Sequence, residues 1–130
     1  PLDRIENIEY SDTTFKRNLH FDFDAYFRDI FGISIEKDQK IEHIRLKFSP
    51  QRLPYVISKP IHHSQVVENE SEGIISLNLI PNKELISELI WFRDDVEILS
   101  PESLREEIKE IIAKMYQKYF GVKKDCTTSL

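Results

Sequence analysis

A single cysteine, Cys126, leaves this chain of 130 residues unable to close an internal disulfide or build a cysteine metal cluster, and a reducing cytoplasm is its simplest home. Three glycines are too few for a phosphate-cradling loop of the usual kind, and no serine stands in a Gly-x-Ser-x-Gly elbow. Long apolar runs are also missing. Nothing approaches the roughly 20 residues that a bilayer-spanning helix needs, so no membrane partner is expected. The opening Pro1-Leu2-Asp3-Arg4 has neither a basic leader nor an apolar signal core, and a first residue other than methionine is what a fragment of a longer protein would show. Basic charge is short as well. With 18 Lys and Arg against 23 Asp and Glu the net charge is −5, which opposes broad contact with phosphate backbones and makes this segment by itself a poor DNA binder.

What is present is a core-forming chain, 40% hydrophobic, with a recurrent local grammar. Three short apolar runs end in a polar residue beside proline: Leu46-Lys47-Phe48-Ser49-Pro50, Leu77-Asn78-Leu79-Ile80-Pro81-Asn82 and Val96-Glu97-Ile98-Leu99-Ser100-Pro101. Each reads as a strand feeding into a helix. Ser49, Asn82 and Ser100 are expected N-caps, and Pro50 and Pro101 are expected at the first helical position, where a missing N–H costs nothing.

Residues 1–10, with Leu2, Ile5, Ile8 and Tyr10 among charged neighbours, read as the last strand of another unit. Residues 11–40 read as a linker that contains a short amphipathic helix, in which Phe23, Tyr26, Phe27, Ile30 and Phe31 form an aromatic stripe between an Asp22 cap and a Gly32 stop. The main domain spans 41–120. A strand over 42–48 turns Ile44, Leu46 and Phe48 one way and Arg45 and Lys47 the other. A brief helix over 50–56, distorted at Pro54, leads to a hairpin of strands 65–68 and 74–80, a helix over 82–92 and a fourth strand over 96–99. The pattern predicts an α+β fold, a ferredoxin-like βαββαβ sandwich. The helix from Pro101 to about Phe120 is added as a cap or a dimer element, and 121–130 is a flexible tail.

No residue set in this chain spells a catalytic site. His20-x-Asp22-x-Asp24 straddles a helix start, where carboxylates are expected on dipole grounds. His62 and His63 are adjacent, and side chains of adjacent residues in an extended chain diverge, so a loop role is expected rather than joint metal binding. Glu102, Glu106, Glu107 and Glu110 lie on a solvated helix face. Three residues of the main domain stand out for partner contact: the outward-facing Arg45 and Lys47, and Trp91 beside the apolar face of its helix. Each also has a plain structural reading, as solvated sheet face or core edge.

The runs Ile44 to Pro50, Pro54-Tyr55-Val56, Lys59-Pro60-Ile61-His62, Ser64-Gln65, Leu77 to Asn82, Val96 to Pro101 and Leu104-Arg105 resemble the C-terminal part of bacterial WYL-domain transcriptional regulators. Leu2-Asp3-Arg4-Ile5 is similar to the closing strand of the WYL domain, and Phe21 to Phe27 to the segment joining it to the C-terminal extension. The resemblance implies a helix-turn-helix upstream, a WYL domain sensing a nucleotide or nucleic-acid effector, and a ferredoxin-like extension. It makes residues 1–10 a remnant of the sensor and places Arg4 at one of its basic positions. The Trp-Tyr-Leu tripeptide and a helix-turn-helix are both absent. Arg93 stands where relatives tend to place glycine, so a left-handed cap is expected at Asp94 or not at all. His63 likewise replaces a common turn glycine.

The expected role is therefore the regulatory and dimerisation portion of a cytoplasmic bacterial regulator. It contacts DNA through a missing upstream domain, forms a homodimer, uses no cofactor or metal and is not an enzyme. Arg4, Arg45, Lys47, His62 and Trp91 are the candidate effector or partner contacts. Competing readings are a stand-alone ferredoxin-like small-molecule-binding module and a metal-dependent hydrolase using His62 or His63.

Overall fold

In the computed structural model, which describes residues 2–34 and 39–121, eight regular elements follow one another: α1 (Phe23–Phe27), β1 (Glu42–Phe48), α2 (Leu53–Ser58), β2 (Val66–Asn69), β3 (Ile74–Leu79), α3 (Lys83–Trp91), β4 (Val96–Ser100) and α4 (Glu102–Phe120). From β1 to β4 this is the βαββαβ order. The strands make one antiparallel sheet in the spatial order β2-β3-β1-β4, so the two central strands are β1 and β3, paired from Glu42↔Leu79 to Lys47↔Ile74. The expected ferredoxin-like α+β architecture with an added C-terminal helix is what forms.

Period-two alternation decides which side of the sheet is buried. Ile44, Leu46 and Phe48 of β1 and Ile75, Leu77 and Leu79 of β3 face the helices, where they meet Leu53 and Val56 of α2 and Leu85, Ile86 and Leu89 of α3. Phe48 meets Phe92 edge-on, with ring centroids 5.1 Å apart. Full burial of such side chains contributes about 1.5–3 kcal/mol each relative to exposure. The β2–β3 turn closes through Gly73 at φ +74°. A Cβ there would lie 2.4 Å from the Phe48 carbonyl oxygen, while the Phe48 N–H donates to Gly73 O at 2.9 Å.

The first half of α4 completes the core with Leu104 and Ile108, and Arg105 donates to the Ile98 carbonyl and to Glu97, shielding the free edge of β4. Its second half is different. Ile112, Met115, Tyr116 and Tyr119 are all exposed. No helix of the described residues is long and apolar enough to cross a membrane.

Several local expectations are corrected. Leu2–Arg4 is a single 3-10 turn and Ile5–Tyr10 are exposed without strand pairing, so the expected N-terminal strand is absent: a strand's backbone groups need a neighbouring strand, and none of the described residues supplies one. The linker helix ends at Phe27, before Ile30 and Phe31, although Asp22 caps it as expected. Ser49 caps a turn rather than a helix, its Oγ accepting from Arg52 N at 3.2 Å, and α2 begins only at Leu53. Pro54 therefore falls in the first turn of α2, where no N–H is needed, and does not distort it. Ser100 is the last residue of β4. Pro101, extended at ψ 160°, takes the N-cap position, leaving the Ser100 hydroxyl one residue too far back to cap α4. The left-handed residue after α3 is Arg93 itself, at φ +58°, not Asp94. The turn at His62–Gln65 closes without glycine, Gln65 N–H donating to His62 O at 3.0 Å. The tail reading for 121–130 lies, beyond Gly121, outside the described residues.

Candidate functional site

The linker does not hang free. Beyond α1 the chain docks on the end of the sheet: the Ile80 N–H donates to the Asp29 carbonyl at 2.8 Å, and Ile30, buried, bridges in parallel to Ile80. The start of α3 then grips the following residues. Asn82, shortly after the core strand β3, is buried, and its amide is divided between two tasks. Oδ1 accepts from Leu85 N–H at 2.9 Å as the N-cap, while Nδ2 donates to the carbonyls of Phe31 at 2.7 Å and Ser34 at 3.0 Å. Gly32, at φ +76°, turns the chain against the Glu84 side chain, which accepts a hydrogen bond from the Ser34 hydroxyl. That bond holds the Glu84 carboxyl below its ordinary range, against the opposing pull of desolvation.

His62 closes the joint from the other side. Its Nδ1 faces the Ser64 hydroxyl at 2.8 Å, and the backbone of Arg28 and Ile30 lies close enough to its imidazole to act on its titration. Burial lowers its pKa below the ordinary value of 6.5, as does the neighbouring His63, outweighing those backbone groups and the Asp29 charge. The two histidine rings lie with centroids 4.0 Å apart, so the expectation that they diverge is corrected: residues 61–64 form a bend and turn, not an extended chain. Together they still give only two ligands. No group of three or more His, Cys, Asp or Glu able to hold a metal ion occurs among the described residues.

Arg45 and Lys47 do share the outward sheet face, but they differ in what they offer. Arg45 Nε donates to Glu68 Oε2 at 2.8 Å, and His43 reaches the other oxygen of Glu68 at 3.4 Å and Asn78 at 2.8 Å. The Arg45 hydrogen bond lowers the pKa of Glu68. Lys47 remains exposed and without an ion pair among the described residues.

Trp91 stands apart from that face, at the end of α3, 56% exposed. The Arg52 guanidinium lies 5.6 Å from its ring and 5.5 Å from that of Tyr55, within cation–π range, and Arg52 Nε meets Asp95 at 3.3 Å. Ser49 Oγ donates to the same carboxylate at 2.6 Å, which depresses the Asp95 pKa. Arg4 is exposed in its 3-10 turn and meets none of the other four candidates. The five are thus dispersed over a sheet face, a joint, a helix end and the N-terminal segment.

The residues that sequence reasoning missed are those that join distant segments. Asn82 was legible as a cap but not as a donor to the linker, and Ser34, Glu84, Glu68, Arg52 and Asp95 carried no local signal. The nearest hint was Glu84 two residues after the cap, which by itself says only that an acid sits in a first helical turn.

Compared with known families, residues 40–116 match the family model of the WCX domain, a C-terminal domain of WYL-family regulators. No curated protein matches the chain.

Proposed function

The chain belongs to the WCX-domain family, and from that membership we propose that it is the regulatory C-terminal portion of a bacterial, cytoplasmic WYL-type transcriptional regulator. In this reading a helix-turn-helix upstream binds the operator, a WYL domain senses a nucleotide or nucleic-acid effector, and the domain described above holds the regulator as a homodimer. It relays the effector state without catalysis or a cofactor. The observation that carries the reading is the docked linker. A segment arriving from a sensor is fastened at 28–34 to the core of the domain by Asn82, Ile80 and His62, so a displacement of that segment is passed to α3 and the sheet rather than absorbed by slack chain.

The test is operator binding by the parent regulator with and without this domain. Removal is expected to abolish dimerisation and effector response. Sequence-specific DNA binding with dimerisation and effector response all unchanged would sink the proposal.

One observation favours the competing small-molecule module, a concavity of about 510 Å³ between the β2–β3 turn and β4, with Lys47, Ser49, Gly73 and Asp95 among its walls. A thermal-shift screen of the chain decides it. A stabilising metabolite supports the module, and a flat screen removes it.

A further inference from the structure

The contacts of His62 fix which ring nitrogen carries its proton. The Ser64 N–H points at Nδ1 at 3.3 Å, and the Ser64 hydroxyl meets the same nitrogen at 2.8 Å while its oxygen accepts the Asn78 N–H at 2.9 Å. A backbone N–H only donates, so Nδ1 is the bare nitrogen and the proton of the neutral imidazole sits on Nε2. A second proton has no place here. Added at Nδ1, it would set N–H against N–H and put a charge on a residue only 9% exposed, beside the His63 ring.

The turn that carries His62 is the fixed side of the joint. The Gln65 N–H donates to His62 O at 3.0 Å, and the Gln65 side chain donates to the Val56 carbonyl at 2.9 Å and accepts the Ile61 N–H at 3.0 Å, which ties the turn to α2. The linker is the side that can yield. Asn82 holds its far half through Phe31 and Ser34, whereas its near half, residues 28–30, rests on the Ile80 N–H, the buried Ile30 and the imidazole of His62. The charged or titratable groups acting on that imidazole are His63, on its own turn, and Asp29, on the linker. Glu84 of α3 is turned to Ser34. β3 has no ionisable residue, and its Asn78, bonded to Ser64, faces His43 of β1 with its side-chain oxygen at 2.8 Å.

We propose that His62 is a proton-operated latch: neutral, it holds residues 28–30 on the domain, and protonated, it releases them while the sheet and helices stay folded. Acid thereby frees the near half of the joint, and a movement of the incoming chain no longer reaches β3 through Ile80. The latch rests on the docked joint and stands apart from the regulator reading.

Amide hydrogen exchange of the 130-residue chain in low urea, corrected for the intrinsic pH dependence of exchange, tests it. Protection of the Ile80 amide, which bonds Asp29, is expected to fall about tenfold between pH 7.5 and 5, because the released imidazole titrates at its ordinary 6.5. Exchange at Ile80 is expected to be independent of urea at both pH values, the mark of a local opening, whereas exchange in β1 rises with urea. His62→Gln is expected to remove the pH-dependent fall and His63→Gln to retain it. Imidazole nitrogen-15 spectra at pH 7.5 are expected to show the His62 proton on Nε2. A proton on Nδ1 instead, Ile80 protection indifferent to pH, or a fall that persists in His62→Gln would overturn the latch. So would Ile80 exchange that follows urea with the slope of β1, since the whole domain would then be yielding.

Discussion

Asn82 and Phe31, 51 positions apart, are joined by a 2.7 Å hydrogen bond from the Asn82 side-chain nitrogen to the Phe31 backbone carbonyl. The same buried amide starts α3 with its oxygen. Helix initiation and linker docking therefore share one side chain, and substitutions can separate them.

Asn82→Ser keeps an N-cap acceptor but removes both donors to the linker, whereas Asn82→Ala removes everything. Asn82→Ala is expected to be less stable than Asn82→Ser by about 1 kcal/mol in urea unfolding, the value of a cap. Hydrogen exchange at the Ile80 amide, which bonds Asp29 within the joint, should accelerate in both variants to a similar degree.

Arg93 sits at φ +58° after α3, a conformation that costs an ordinary L-residue about 1 kcal/mol. Arg93→Gly is expected to raise stability by about 0.5–1 kcal/mol, somewhat less than the full strain because glycine also gains entropy in the unfolded chain. The urea midpoint should rise with an unchanged slope.

Gly73→Ala is expected to do the reverse. The new Cβ would meet the Phe48 carbonyl oxygen at 2.4 Å at a backbone φ of +74°, and neither backbone segment can yield without breaking the β1–β3 pairing. A loss of more than about 2 kcal/mol should appear in the same measurement.

His62 gives the joint a pH dependence. Its pKa in the folded chain lies below the ordinary 6.5, so the unfolded chain binds the proton more readily. The stabilisation is complete above pH 6.5 and declines as the pH falls through 6.5 toward the folded value. Comparing wild type with His62→Gln between pH 7.5 and 5 should show the slope in wild type and its reduction in the variant. The depressed carboxylates Glu68, Glu84 and Asp95 titrate below that window, where their stabilisation is lost as the pH falls through their folded values.

The main domain was largely legible because its signals are local. The alternation in Glu42–Phe48 set the first strand at its observed bounds, and Asn82 announced α3 through a bond spanning three residues. Failures came where a residue's state depends on something distant. The aromatic stripe of the linker was expected to pack as a helix, yet only Ile30 and Phe31 reach the domain, while Phe23, Tyr26 and Phe27 stay exposed. Ser100 had the chemistry of a cap, but its pairing with Arg45 keeps it in the sheet. Of the five candidate contacts, charge and aromaticity alone selected Arg45 and Trp91. Both are already engaged, by Glu68 and by Arg52, through contacts that span 23 and 39 residues of sequence.

Operator binding by the parent regulator, wild type and Asn82→Ser side by side, with and without effector, bears most directly on residues 28–34 as the coupling joint. If the joint relays the effector state, Asn82→Ser retains operator affinity but loses most of the effector-dependent change. A full effector response in a variant whose Ile80 amide demonstrably exchanges faster would contradict it.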